Sequence, residues 1–261
     1  MRILGSSKSE KHDGKSDFMD RLTTLMDRFQ LSVCAAEPGE ANLIALAGPE
    51  REPVRIRYYT TESSPMRTSA AVMWAARVEW SGRRNPFLAA LPAQVDYDIS
   101  GAPEVQALVR AMRGEAEAGR CGAQSVINRL GEVLMVHLLR NQLQNGATEP
   151  GLLAGLADPR LSRAIVAMHD HPGRLWSNAD LAEVAGLSLS RFAEVFAAEV
   201  GETPIGYLRR WRLILAHQDL SRGDRVDAVA RRYAYSSPEG FSRAFRKAYG
   251  VAPMSLRMAT A

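Results

Sequence analysis

Between residues 17 and 30, the stretch DFMDRLTTLMDRFQ places Phe18, Leu22, Leu25, Met26 and Phe29 at spacings of three and four, which predicts one face of a short amphipathic helix. From Leu31 the texture changes to short apolar runs bounded by Gly, Pro or Ser: LSVCAA, ANLIALA, PVRIRYYT and SAAVMWAARVEW. In the third of these, Val54, Ile56 and Tyr58 alternate with Arg55, Arg57 and Tyr59, as a half-buried strand requires. The run predicts a small antiparallel sheet or part of a barrel. Pro86 to Ser100 reads as a connector. Two helices follow, with Val105, Leu108, Val109 and Met112 on one face of residues 103–119, and Val126, Leu130, Val133, Leu134, Val136, Leu138 and Leu139 along residues 122–143. The short GRCGA joint between them predicts an antiparallel helical hairpin.

QNGATEPG, residues 144–151, has the Asn-Gly and Pro-Gly content of a linker, and beyond it the chain reads as nearly continuous short helices. Residues 158–170 form the first. Ser177 with Asp180 makes a capping box for a second that ends before Gly186, and Ser188 stands ready to cap a third running to about Val200. Two short helices joined by a glycine-bearing turn form a helix-turn-helix pattern. The arrangement recurs: Thr203-Pro204 opens a long helix, Asp224 and Asp227 cap a short one, and Ser237-Pro238 opens a final long one. Each candidate recognition helix carries two Phe four residues apart, Phe192 with Phe196 and Phe241 with Phe245, on one buried face.

Composition narrows the function. With 46% hydrophobic and 24% charged residues over 261 positions, the chain is ordinary globular material, which excludes wholesale disorder and a collagen-like repeat. The polar N-terminus offers no signal sequence and no run suits a membrane span, so a cytoplasmic location without membrane association is expected. Cys34 and Cys121 match no metal spacing and are expected to be buried free thiols; a redox switch between them would need their Cα atoms within about 7 Å. The net charge of +4 lies wholly in residues 151–261, where 14 Arg and one Lys face 11 acidic residues. Arg suits phosphate and guanine through its planar fork.

Residues 158–258 resemble the double helix-turn-helix domain of AraC/XylS-type transcription regulators, most plainly in GETPIGYLRRWRLILA and YSSPEGFSRAFRKAYGVAPMSLR. The N-terminal part resembles a shortened cupin-type sensory domain, through NPFLAALP and GEVLMVHLLR. The resulting fold class is α+β: a small β-sheet or partial cupin-like barrel with a helical hairpin, then an all-α double helix-turn-helix domain. The expected division is a mobile tail over 1–16, a sensory and dimerisation domain over 17–143, a linker over 144–157 and a DNA-binding domain over 158–261.

The resemblance implies that each recognition helix enters a major groove of double-stranded DNA. On the first, the candidate contacts are Ser190, Arg191 and Glu194; Glu194 is either a cytosine-reading acceptor or a solvated side chain. On the second they are Ser237, Glu239, Gly240, Arg243, Arg246 and Lys247, with Arg243 the leading base-contact candidate. Arg209, Arg210 and Arg212 on the linking helix face either phosphate or solvent, and Arg210 is taken as a contact. Ala234 stands where the family generally has Gly, which would strain the turn if that position needs positive φ.

No catalytic triad, phosphate loop, metal set or cofactor signature is legible, so an enzyme is not expected. His169-Asp170-His171 reads as a helix end, and Trp176, Tyr207 and Trp211 as core. Arg51, Arg55 and Arg57 form the one ligand clue in the sensory part, a clamp for a small anionic effector such as a cyclic dinucleotide, to which Arg83 and Arg84 would add; the alternative is a solvated strand edge. If the helical hairpin exposes Leu134, Leu138 or their neighbours, the chain forms a homodimer. The resemblance implies an effector-responsive activator that works with RNA polymerase. The competing reading keeps DNA binding and makes the N-terminal part a dimerisation or protein-interaction module without a ligand.

Overall fold

The computed structural model describes residues 22–60, 71–80, 85, 88, 90–145 and 150–258. The expected tail over 1–16, Phe18, Arg83 and Arg84 lie outside them. Helix α1, Thr23–Arg28, keeps the central part of the predicted amphipathic helix and buries Leu25. Strands β1 (Leu31–Ala35), β2 (Leu43–Ala47), β3 (Pro53–Tyr59), β4 (Val72–Trp80) and β5 (Gln94–Asp98) form one antiparallel sheet in the order β1-β4-β2-β3-β5. The expected connector over 86–100 is thereby corrected. QVDYD lacks a strand's usual composition, and β5 is held by its ladder to β3, in which Arg57 faces Asp96 and binds it through two hydrogen bonds of 2.7 and 3.2 Å.

Helices α2 (Pro103–Ala118) and α3 (Ala123–Gln144) are the predicted hairpin, and α3 closes the open edge of β1. The Val33 N–H donates to Asn128 Oδ1 at 2.7 Å, while the Val33 carbonyl accepts from Gln124 Nε2 at 2.8 Å. Two side chains thus stand in for a neighbouring strand and remove an aggregation-prone edge. Gly131 permits this approach, since a Cβ there would lie 2.6 Å from that of Val33. Leu134 and Leu138 are fully buried within the chain, so they offer no dimer surface; the exposed apolar side chains of α3 are Val126 and Val133. Cys34 and Cys121 are both exposed, against expectation, because Cys34 points away from the face on which Val33 packs and Cys121 sits in the α2–α3 turn.

Helix α4, Leu152–Ala157, replaces the second half of the expected linker; its apolar run LLAGLA is buried, and Gly155 lets it lie against Ile165 and Val200. The helical domain then runs through α5 (Pro159–Asp170), α6 (Asn178–Ala185), α7 (Leu189–Val200), α8 (Pro204–Ser221), α9 (Val226–Arg232), α10 (Pro238–Tyr249) and α11 (Pro253–Met258). The Ser177–Asp180 capping box forms, and Thr203 and Ser237 cap α8 and α10 through the N–H groups of Gly206 and Gly240. Ser188 makes no side-chain cap bond. Nor do Asp224 and Asp227 cap α9, whose N-cap is Arg225; the Asp224 carboxylate accepts instead from Arg232.

Two core features carry measurable consequences. His169 is wholly buried, 2.6 Å from the Tyr207 hydroxyl and with its ring 4.1 Å from that of Trp211. Burial, aided by the charge of Arg210, drives its pKa down to about 3, so it is neutral in the folded protein. Unfolding frees it to take a proton below its ordinary value near 6.5, so stability falls as pH drops through that value; the loss from this group reaches about 1.4 kcal/mol at pH 5.5. Urea melts at pH 7.5 and 5.5 should show that difference, and His169→Gln should remove its share of the slope. Ala234 adopts φ of 58° in the turn before α10, where the first helix-turn-helix has Gly186 at 70°. Ala234→Gly should therefore stabilise the domain by about 0.5 to 1 kcal/mol, read as a rise of several degrees in Tm.

Candidate nucleic-acid interface

Both candidate recognition helices, α7 and α10, pack on α8. The buried faces of α7 and α10 carry Phe192 with Phe196 and Phe241 with Phe245, all wholly buried. Phe196 meets Tyr207 near the start of α8 at 5.8 Å between ring centroids, and Phe245 meets His217 near its end at 6.0 Å. Ten residues of helix separate those two anchors, or about 15 Å along the axis. The opposite faces of α7 and α10 are left to solvent.

Those exposed faces differ in charge. On α7, Ser190, Arg191 and Glu194 are exposed as expected, but Arg191 Nη1 lies 2.8 Å from Glu194 Oε2, so the helix neutralises its own cation. Beside them, Leu189 is half exposed and Ala197 and Ala198 face outward, an apolar surface suited to a thymine methyl. On α10, Glu239, Arg243, Arg246 and Lys247 are exposed, and the three cations have no carboxylate in contact among the described residues. Gly240 and Ser237 are tied up in the cap, where Ser237 Oγ accepts from the Gly240 N–H at 3.0 Å.

The linking helix sorts its arginines in a way the sequence reading did not foresee. Arg210 binds Glu202 through two bonds of 2.6 and 2.8 Å, and Arg212 donates to the carbonyls of Pro172 and Arg174, both at 2.7 Å. Arg209 alone of the three is exposed without a hydrogen-bond or ion-pair partner among the described residues. It lies close enough to Tyr235, in the turn leading to α10, to oppose the burial that raises that hydroxyl's pKa. The Tyr235 hydroxyl is itself buried without a partner. The spacing of 209, 210 and 212 alone does not separate them, because the partners come from residues 172–174 and 202.

In the sheet domain the three arginines of the expected anion clamp are not left available as a set. Arg57 is bound by Asp96, Arg55 sits opposite Asp98 in the β3–β5 ladder, and Arg51 occupies the β2–β3 turn at φ of 60°. Burial pushes the Asp96 carboxyl up, but Arg57 and Gln94 together hold it below its ordinary range. No group of three or more His, Cys, Asp or Glu side chains suited to a metal occurs among the described residues.

Comparison with known proteins agrees with this architecture. A helix-turn-helix domain model matches residues 181–259 and a cupin model matches residues 25–144. A protein of Streptomyces lividans described as an AraC-like transcription regulator is 35% identical over 67% of this chain and 57% of its own length. An uncharacterised HTH-type transcriptional regulator of Haemophilus influenzae is 26% identical over 80% of this chain and 76% of its own length. A solved AraC-type transcriptional regulator from Chromobacterium violaceum aligns at a TM-score of 0.38 and 24% identity, covering 40% of this chain and 95% of that one. The matched stretch thus spans little more than half of the Streptomyces protein. The chain thus combines a cupin region with a helix-turn-helix domain, and it is similar over two thirds of its length to an AraC-like transcription regulator.

Proposed function

We propose that this protein is a sequence-specific DNA-binding transcription regulator in which α7 and α10 enter successive major grooves of one duplex. The observation that carries the reading is the pair of outward helix faces fixed to one buried rod, with Arg243, Arg246 and Lys247 free of acidic partners on the second. Arg243, nearer the start of α10, is the base-reading residue; Arg246 and Lys247, one turn on, anchor phosphates together with Arg209. The helix length supports this geometry: 18 residues of α8 span about 27 Å, and the flanking helices extend that towards the roughly 34 Å between successive grooves.

The N-terminal domain serves as the sensory and dimerising part, and the protein acts in the cytoplasm as an effector-responsive activator of RNA polymerase. No helix among the described residues is long and apolar enough to cross a membrane. The pairing of Arg57 with Asp96 favours a second reading, in which the sheet domain itself takes no anion and works as an interaction module.

Capture of genomic fragments on the purified chain at about 150 mM salt should return a few sharp sites sharing one motif. Diffuse recovery from both the full chain and residues 151–261 would reject sequence-specific binding. On the best site, Arg243→Ala should cost about 1 to 3 kcal/mol and relax one base position, whereas equal loss on every sequence would reduce Arg243 to a phosphate contact. Glu194→Ala should act the other way. Releasing Arg191 to meet phosphate should raise affinity on all sequences and steepen the salt dependence by about one unit of slope, as read by titration between 50 and 200 mM salt.

A further inference from the structure

Where α1 lies against the helical domain, a cavity of about 690 Å³ opens, walled by Arg28 at the end of α1, by His171 and Arg174 in the α5–α6 loop, and by Asp219, Arg232 and Tyr233. Its volume is that of a metabolite site. The acids facing it are already engaged. Asp219 accepts from Arg232 at 2.5 Å and from the Tyr233 hydroxyl at 2.6 Å, and Asp170 accepts from Thr24 Oγ1 at 2.5 Å. Of the three arginines, Arg232 is paired with Asp219 and Asp224, but among the described residues neither Arg28 nor Arg174 has a carboxylate partner, and Arg174 is positioned by stacking 3.9 Å from the centre of the Trp176 ring. Apart from Pro172 and Gly173, every residue that lines it has a polar or charged side chain.

We propose that this seam binds a small polar oxyanion, a phosphate ester or a dicarboxylate, between the guanidinium groups of Arg28 and Arg174. Planar guanidinium forks match both oxyanions in geometry. Arg28 belongs to the N-terminal region and Arg174 to the helical domain, so one bound anion engages both and favours the docked arrangement. The loop it grips leads directly into the Ser177 cap of α6, and its carbonyls at 172 and 174 are held by Arg212 of α8. The site rests on the cavity and its unpaired cations; the ligand's role as an effector rests on the regulator reading.

Calorimetric titration of the full chain with glycerol 3-phosphate, inorganic phosphate and succinate, at constant ionic strength with chloride as control, tests the site without DNA. One anion per chain should bind, and Arg28→Gln and Arg174→Gln should each weaken it tenfold or more, while Arg243→Gln leaves it unchanged. The stronger of the phosphate and succinate arms identifies the oxyanion. Because neither Arg28 nor Arg174 holds a carboxylate, Arg28→Gln should melt like the parent and Arg174→Gln should lose only its stacking on Trp176. Absent binding, or equal binding in the variants, overturns the site. The same anion should change affinity for a captured DNA site in the parent and not in the double variant. Anion binding with unchanged DNA affinity rejects the effector role, and loss of all specific DNA binding rejects the regulator reading while leaving the titration result standing.

Discussion

The burial of α8 is the constraint on which the rest of the molecule depends. Ten of its 18 residues are buried, although the helix carries Arg209, Arg210 and Arg212 in its first half. Trp211 at its middle contacts His169 of α5 and Phe29 at the end of the N-terminal helix, Tyr207 holds α7, and His217 holds α10. A helix buried on most sides cannot turn or slide without losing many close-packed contacts at once, and close-packed interiors resist such shifts. The spacing and relative orientation of the two exposed faces are therefore properties of one rigid element.

Keeping neutral groups at the centre of that element has a chemical reason. The His169 imidazole and the Tyr207 hydroxyl satisfy each other in a site where neither is easily charged, since burial lowers the histidine's pKa and raises the tyrosine's. A charged residue at either position would need a buried partner of opposite sign. The nearby charges are instead paired at the rim, Arg210 with Glu202 and Arg232 with Asp219 and Asp224. The same pairing separates α7 from α10 in charge. An Arg–Glu pair within α7 reduces its attraction for phosphate, leaving shape and short polar contacts to act there, while α10 supplies the unpaired cations.

The N-terminal domain is joined to this frame at two places. Helix α4 fills a hollow against α5 and α7, with the Gly151 N–H donating to the Glu199 carbonyl at 2.8 Å, and α1 lies on α5 and α8, where the Arg28 carbonyl accepts from Gln218. The core is consequently continuous from the sheet to the last helix pair. A segment that reads as a linker in composition is part of the joint, because LLAGLA has enough apolar surface to be buried once a groove is available.

Much of the local chemistry was legible in the sequence, the expected caps at Ser188, Asp224 and Asp227 excepted. The Ser177–Asp180 box, the helix starts at Thr203 and Ser237 and the Phe pairs at a spacing of four depend on residues within one or two turns, so periodicity and capping rules found them, whereas the strain at Ala234 was expected only through the family resemblance. Partner choice across long separations was not legible. Only the folded chain decides that QVDYD is an edge strand on β3, that α3 seals β1 with Asn128 and Gln124, and that Arg209 rather than Arg210 is left free. Sequence spacing fixes which side chains share a face, whereas the charge a face presents depends on acids and carbonyls brought to it from distant segments, and those arrive only when the core closes.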